Sequence, residues 1–303
     1  MDKIKIGLPR GIFYYYFGDL LKTFFNNLDC ELIISPLTNK EIYKKGINIA
    51  SDEMCSALKI YFGHISYLED KVEYIIVPRI DNYGLNNQTC TNFLALYDLT
   101  CNLFNKKIIT FNIDYINSET EYKGLYKMAK DLGFISKDIK NAYIKTKKYL
   151  KMLTKKRINN NYHSLLSKKK KVLLVAHPYI LYDNLVGLPI INYLKQMNIE
   201  IIYSDRFNTS LANDRSKELS NSLYFKYSKE MIGSIILAKK YIDGIIFISS
   251  FPCGLDSLVN ELVRRKLDIF NINIVIDDIN TLLGIETRLE SFCDILERKQ
   301  NDK

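Results

Sequence analysis

Short runs of Ile, Val and Leu alternate along the chain with longer segments in which apolar residues recur every three or four positions. The short runs are continuous, which is typical of parallel strands buried on both faces. They predict eight strands, at Lys3–Leu8, Glu31–Ser35, Val72–Pro78, Lys107–Asn112, Val172–Ala176, Glu200–Ser204, Gly244–Ser249 and Asn271–Ile276. The longer segments predict seven helices, at Ile12–Leu28, Glu53–Leu68, Asn92–Phe104, Leu185–Met197, Phe225–Tyr241, Leu255–Lys266 and Leu282–Arg298.

Strands that alternate with helices indicate right-handed βαβ crossovers, so the predicted fold class is α/β with doubly wound parallel sheets. The pattern occurs twice, with four strands on each side of a stretch rich in Lys and Asn. A chain of 303 residues is long enough for two domains. The sequence therefore predicts an N-terminal α/β lobe at 1–116, a helical connector at 117–170 and a C-terminal α/β lobe at 171–303.

Composition and charge exclude several classes of protein. The chain is 47% hydrophobic and 25% charged, as expected of a globular protein. No apolar run is long enough to span a membrane, and the first residues enter a predicted strand without a signal peptide, so we expect a cytoplasmic protein with no membrane partner. The net charge of +9 comes from scattered lysines, and the basic cluster Lys168–Lys171 is interpreted as a solvated linker. No nucleic-acid-binding module is present, so no nucleic-acid partner is expected.

The six cysteines are expected to be reduced thiols in a cytosolic chain of this size. No two of them have the spacing C-x-x-C, which excludes a local zinc ribbon or ferredoxin motif. A metal site in this protein would have to combine cysteines that are distant in the sequence.

Three cysteines are predicted to lie at helix N-termini. Asp52 is a candidate N-cap that places Cys55 at the third position of a helix, while Cys90 and Cys253 come just before helices. The helix dipole and the free N–H groups at these positions favour a thiolate. The other three cysteines are interpreted as ordinary thiols of a strand or of apolar helix faces, at Cys30, Cys101 and Cys293.

Three thiolates at positive helix ends are suited to a [4Fe-4S] cluster, whose fourth iron would be left open to water or a substrate oxygen. The alternative is that the three cysteines are unconnected and precede helices by coincidence. The spacing alone does not decide between these two interpretations.

The residues that follow the strands are the other candidates, because ligands of open parallel sheets bind beyond the carboxyl ends of the strands. Arg10 follows the first strand and His177 follows the fifth, and both are candidates to orient a substrate or transfer a proton. His64 lies nine residues after Cys55, on the opposite face of a continuous helix, so it is predicted to pack or to form a hydrogen bond. No phosphate-binding loop or dinucleotide motif is present.

An ordered series of short motifs extends along nearly the whole chain outside the connector. They are Ile6-Gly7-Leu8-Pro9-Arg10-Gly11, Pro36-Leu37-Thr38-Asn39-Lys40, Asp52-Glu53-Met54-Cys55, Gly63-His64, Ile76-Val77-Pro78-Arg79, Cys90-Thr91-Asn92-Phe93, His177-Pro178-Tyr179, Tyr182-Asp183, Ser249-Ser250-Phe251-Pro252-Cys253-Gly254-Leu255-Asp256-Ser257 and Thr287-Arg288-Leu289-Glu290. The series resembles the domain that accompanies acyl-CoA dehydratase activases, in the wider group of 2-hydroxyacyl-CoA dehydratases and benzoyl-CoA reductases.

The resemblance implies a [4Fe-4S] cluster held by Cys55, Cys90 and Cys253 and reduced by an ATP-hydrolysing activase. In the relatives the reduced cluster serves radical dehydration or ring reduction of acyl-CoA substrates. The expected function is therefore that of a redox protein that acts on an acyl-CoA-type or other small substrate, as a dehydratase-like lyase or a low-potential reductase. Two alternatives stay open: a noncatalytic electron-transfer or regulatory partner of an activase, and a metal-free two-lobed small-molecule-binding protein. A homo- or hetero-oligomer is also left open.

The sequence departs from the family pattern at three places. Asp277–Gly284 stands where relatives usually have a stretch such as Glu-His-Thr-Gly, and Thr91 and Leu255 stand where Pro is usual. The three cysteines are kept. The resemblance therefore puts activity in question more than cluster binding.

Overall fold

The chain folds into two compact units in the computed structural model, which describes residues 3–277 and 283–301. The first unit extends to Thr154 and also takes the short segment Tyr224–Lys226. The second unit takes Lys155–Leu223 and the chain from Tyr227 onward. The backbone N–H of Lys226 donates to the carbonyl of Gln88 at 3.0 Å, which ties the short segment to the first unit.

The first unit is built on a four-stranded parallel sheet with the strand order β2-β1-β3-β5. A second, two-stranded parallel sheet pairs β4 with β6. The strands are β1 (Lys5–Leu8), β2 (Glu31–Ile34), β3 (Tyr74–Ile76), β4 (Arg79–Asn82), β5 (Lys107–Ile109) and β6 (Asn112–Asp114). Ile6 and Leu8 of the central strand β1 are buried, as expected for a strand covered on both faces.

Six helices accompany these strands: α1 (Phe13–Asn26), α2 (Lys40–Ile49), α3 (Ser56–Leu68), α4 (Thr91–Leu103), α5 (Glu121–Asp131) and α6 (Ser136–Leu165). Helix α1 buries Phe17, Phe24 and Phe25, so its aromatic run belongs to the core. Helix α6 extends over 30 residues and passes from the first unit into the second.

Two glycines allow α2 and α3 to approach each other closely. A Cβ atom added at Gly46 would overlap the carbonyl oxygen of Lys59, and one added at Gly63 would overlap the carbonyl oxygen of Ile42. Backbone atoms cannot move aside as a flexible side chain can. The close contact of these helices therefore depends on the absence of side chains at both positions.

The second unit is built on a four-stranded parallel sheet with the strand order β10-β9-β7-β8. Its strands are β7 (Lys171–Val175), β8 (Glu200–Tyr203), β9 (Gly244–Ser250) and β10 (Asn271–Ile276). Its helices are α7 (Pro178–Leu181), α8 (Gly187–Gln196), α9 (Thr209–Ser216), α10 (Lys226–Ala238), α11 (Gly254–Lys266) and α12 (Leu283–Asn301). All seven residues of the central strand β9 are buried.

Asn161, near the end of α6, binds the chain around the end of β8. Its amide nitrogen donates to the carbonyl oxygens of Tyr203 at 3.0 Å and Arg206 at 3.3 Å, and its amide oxygen accepts from the N–H of Tyr203 at 2.9 Å. Only 3% of Asn161 is exposed. The side chain therefore satisfies three backbone groups at and just after the end of β8, the edge strand of the described sheet.

The predicted α/β class with two parallel-sheet lobes is confirmed, and each of the eight predicted strands overlaps an observed strand. Five helices were not predicted individually. Helices α5 and α6 lie within the predicted helical connector. Helices α2 and α9 are rich in charged and polar residues, and α7 has only four residues. The predicted start of the helix at Glu53 is wrong: α3 begins at Ser56, and Cys55 before it has extended backbone angles. No helix in the described part of the chain combines the length and apolar character needed to cross a membrane.

Candidate functional site

Cys55 and Cys90 occupy equivalent places in the first unit. Each immediately precedes a crossover helix: Cys55 precedes α3, which leads into β3, and Cys90 precedes α4, which leads into β5. In a parallel sheet such a helix starts near the carboxyl ends of the strands and ends near their amino ends. The two cysteines therefore lie toward the carboxyl edge of the first sheet, where ligands of this fold class bind.

Both cysteines are the N-cap residues of their helices. Their backbone angles are nearly the same, with φ −62° and ψ 149° at Cys55 and φ −59° and ψ 144° at Cys90. Their carbonyls accept the first helical hydrogen bonds, and both residues are partly exposed. The free N–H groups of the first turn and the positive end of the helix dipole favour a negative charge on sulfur at this position. The predicted location at helix N-termini is confirmed for this pair.

Cys253 has the same role in the second unit, as the N-cap of α11, three residues after the end of β9. Here the sulfur itself is the capping atom, since the backbone N–H of Asp256 donates to Sγ at 3.5 Å. The Ser257 hydroxyl also donates to the Cys253 carbonyl at 2.9 Å. Because a donated hydrogen bond stabilises an anionic sulfur, this cap favours the thiolate more directly than proximity to a helix end would.

His177 and Asp256 form a buried pair beside this cap. The Nε2 atom of His177 lies 3.2 Å from Oδ1 of Asp256, and the residues are 7% and 5% exposed. An ionised carboxylate can only accept hydrogen bonds, so the pair places a proton on Nε2. The His177 ring is stacked on Tyr179, with the ring centres 4.9 Å apart, and meets the edge of Tyr227 at 5.8 Å. The imidazole is thus fixed by a carboxylate and two aromatic rings.

The second oxygen of Asp256 is buried and has no hydrogen-bond partner among the described residues. Asp256 therefore makes two contacts at once. Its Oδ1 atom holds His177, and its backbone N–H caps the Cys253 sulfur. The candidate proton carrier and the candidate cluster ligand are connected through a single residue. This role of Asp256 was not predicted from the sequence.

Arg10 lies in the first unit, just beyond the carboxyl end of β1. Its backbone N–H donates to the hydroxyl of Ser35 at 2.8 Å, and its Nε donates to the Ser35 carbonyl at 3.0 Å. The guanidinium carbon is 5.1 Å from the centre of the Tyr14 ring. These contacts hold Arg10 against the chain that follows β2, beyond the carboxyl ends of β1 and β2.

His64 is a buried structural residue of α3. Its Nε2 atom is 3.1 Å from the Thr38 hydroxyl, and the residue is 0% exposed. Burial, and secondarily the charge of Arg10, lower the pKa of His64 to about 3, so the imidazole is neutral near pH 7. The prediction that it packs and forms a hydrogen bond is confirmed.

The structure brings the predicted residues together only in part. His177 and Cys253 meet through Asp256 in the second unit, whereas Arg10, Cys55 and Cys90 belong to the first. Among the residues that the structure describes, no group of three or more His, Cys, Asp or Glu side chains is placed to hold a metal ion. Each thiol has surroundings suited to a cluster ligand, but the ligand roles stay predictions.

Sequence reasoning missed Asp256, Tyr179 and Tyr227 as partners of His177. The spacing Cys-x-x-Asp at the start of a helix was the available signal, because it puts the Asp256 N–H within reach of the capping sulfur. In the altered segment Asp277–Gly284, residues 278–282 lie outside the described residues.

A comparison with protein families identifies the chain. The profile of the CoA enzyme activase uncharacterised domain matches residues 5–207, which is more than half of the sequence. The chain belongs to this family. The CoA enzyme activase match includes Arg10, Cys55, Cys90 and His177, while Cys253 lies beyond it. It supports the predicted relationship to activase-associated proteins of the acyl-CoA dehydratase group, without specifying the member. No curated protein matches the chain.

Proposed function

We propose that this protein is a redox protein in which Cys55, Cys90 and Cys253 hold a [4Fe-4S] cluster. The observation that carries the proposal is that all three cysteines are N-cap residues of helices that connect strands of parallel sheets. Three helix N-termini together offset a large part of the negative charge of a thiolate-bound cluster. All six cysteines are free thiols in the structure.

The cluster, when bound, would supply a low-potential electron and an iron with an open coordination position. The chain's own contribution begins with the sulfur environment. The Asp256 N–H that reaches the Cys253 sulfur stabilises its negative charge, and hydrogen bonds to cluster sulfurs are one means by which proteins set the reduction potential.

Membership of the CoA enzyme activase family supports an ATP-dependent activase as the electron donor. An acyl-CoA-type thioester is the proposed substrate, and dehydration or reduction is the proposed reaction. His177 would hold a proton on Nε2 against the Asp256 carboxylate, and Arg10 would orient an anionic group of the substrate.

Iron reconstitution under anaerobic conditions tests the cluster. The wild type should bind about four irons per chain and develop a thiolate-to-iron absorption band. Substitution of Ser for Cys55, Cys90 or Cys253 should reduce the iron content to half or less. Cys101→Ser is the matched control, because Cys101 is an exposed thiol inside α4 and should be dispensable. Full iron content in the three test variants would disprove the ligand assignment.

A second experiment separates an enzyme from an electron carrier. The reconstituted protein is reduced with an activase and ATP and then supplied with acyl-CoA thioesters. Turnover that falls at least tenfold in His177→Gln, while reduction of the cluster persists, supports the enzyme. Reduction without turnover in the wild type supports a noncatalytic electron-transfer or regulatory partner.

A metal-free two-lobed small-molecule-binding protein is the second candidate, and the reconstituted protein distinguishes it from the redox protein. A protein that stays colourless after anaerobic reconstitution, and whose melting temperature rises with an acyl-CoA or a related small molecule, would support this candidate over the redox protein.

A further inference from the structure

Basic charge is concentrated on α6. This helix contains nine Lys and Arg residues and one Asp, in a chain whose net charge is only +9. In its part that belongs to the first unit, four exposed lysines lie within an arc of about 80°, at about 100° per residue. These residues form the lysine face: Lys137, Lys140, Lys148 and Lys151.

The lysine face is not neutralised by its own chain. None of its four lysines forms an ion pair within the described structure, whereas the neighbouring Lys147 pairs with Glu121 at 3.0 Å. Asp138 lies about 100° away from Lys137 around the helix. Ile144 lies in the middle of the face and is 55% exposed. Four uncompensated charges around an exposed apolar side chain are typical of a contact surface.

Helix α12 of the second unit has the opposite pattern. Four exposed carboxylates lie within an arc of about 80° on this helix. These residues form the acidic face: Glu286, Glu290, Asp294 and Glu297. None of them forms an ion pair within the described structure, and Arg288 donates to the carbonyl of Asn273 instead. Burial, and secondarily the charges of Asp294 and Glu297, raises the pKa of the Cys293 thiol on the same helix to about 11.

We propose that the lysine face of one copy of the chain docks on the acidic face of a second copy. The faces match in charge number and in angular width. The lysine face spans about 21 Å along its helix and the acidic face about 16 Å, at about 1.5 Å per residue. Charge complementarity between two surfaces of the same chain identifies a second copy as the occupant. An anionic membrane would need a continuous apolar face, and the lysine face has one apolar side chain in its middle.

The association should be weak and strongly dependent on salt. Exposed ion pairs contribute little individually, and their attraction is screened when the Debye length falls from about 10 Å at 0.1 M to about 3 Å at 1 M ionic strength. We expect self-association of the full-length protein in sedimentation velocity at low salt. The affinity should fall at least tenfold when about 0.5 M NaCl is added.

A charge-swap experiment tests the pairing of the two faces. The first variant carries Lys140→Glu, Lys148→Glu and Lys151→Glu, and the second carries Glu286→Lys, Glu290→Lys and Asp294→Lys. Each should weaken self-association at least tenfold at low salt, and their combination in one chain should restore it. Circular dichroism melts establish that each variant is folded.

The matched control reverses three exposed lysines that share one face of α5, at Lys123, Lys127 and Lys130. It changes the net charge equally and should leave self-association unchanged. A wild type that is monomeric at low salt, or a combined variant that stays monomeric, would overturn the proposal. So would a lysine-face variant that loses binding to a 20-base-pair DNA duplex or to phosphatidylserine vesicles while its self-association persists.

Discussion

The buried imidazole of His64 makes the stability of the protein depend on pH in a direction that the structure specifies. In the folded chain the pKa of His64 is lowered from 6.5 to about 3 by burial and by the charge of Arg10. Between pH 6.5 and about pH 3, the unfolded chain therefore binds a proton at His64 that the folded chain does not bind. This contribution to stability is complete above pH 6.5 and is lost progressively as the pH falls toward 3.

The magnitude follows from the two pKa values. At pH 5 the unfolded state gains about 2 kcal/mol from protonating this one side chain, while the folded state gains almost nothing. Other titrating groups add their own pH dependence, so the test compares variants. His64→Gln keeps a polar group near the Thr38 hydroxyl but cannot titrate. Its free energy of unfolding should change between pH 7 and pH 5 by about 2 kcal/mol less than that of the wild type.

Urea denaturation at the two pH values, monitored by circular dichroism, measures this difference. The matched control is His163→Gln, which removes an exposed imidazole from α6 and should change the free energy of unfolding by about 0.5 kcal/mol or less at either pH. If wild type and His64→Gln lose the same free energy between pH 7 and pH 5, His64 is not held neutral by burial and the reasoning fails.

Three further predictions concern packing and buried polar contacts. Gly63→Ala should destabilise the protein by about 3 kcal/mol, measured by urea denaturation, because the added methyl group would meet the backbone carbonyl of Ile42. The control Gly254→Ala, which has open space around it, should change the free energy of unfolding by less than about 1 kcal/mol. Asp256→Ala should lower the free energy of unfolding by about 1–3 kcal/mol, because it removes the acceptor of the buried Nε2 atom of His177. Asp256→Asn should restore much of this loss in the same assay, and equal losses in both variants would contradict a hydrogen-bonding role. Asn161→Ala should lower stability by about 1–3 kcal/mol through loss of its three backbone contacts, and an unchanged melting temperature would refute this.

The sequence predicts the fold class well because the central strands of its sheets are buried on both faces. The run at β9, for example, is continuously apolar up to the serines that end it, and every residue in it is buried. The positions of Cys90 and Cys253 immediately before helices also follow from the local sequence and were predicted correctly. At Cys55 the acidic residues before the helix suggested an earlier start, but the chain stays extended until Ser56.

The contact between His177 and Asp256 could not be predicted from local pattern. It depends on the order of the strands, which places β7 beside β9, so that the loops after these two strands are neighbours. Strand order is decided by packing between distant segments and leaves no signal in a short window of sequence. The close approach of α2 and α3 could not be predicted for the same reason. The need for glycine at positions 46 and 63 becomes apparent only when the two helices are packed together.

The segment Tyr224–Lys226 has a consequence for how the protein is made. It belongs to the first unit although about 70 residues of the second unit precede it in the chain. When the first 154 residues have been synthesised, the first unit therefore still lacks Tyr224–Lys226. The carbonyl of Gln88 can accept its hydrogen bond from Lys226 only after that segment has been made. Because the chain is made from its N-terminus, the first unit cannot be completed before part of the second unit has been synthesised. The nascent chain has to hold an incomplete N-terminal half until much of the C-terminal half has emerged.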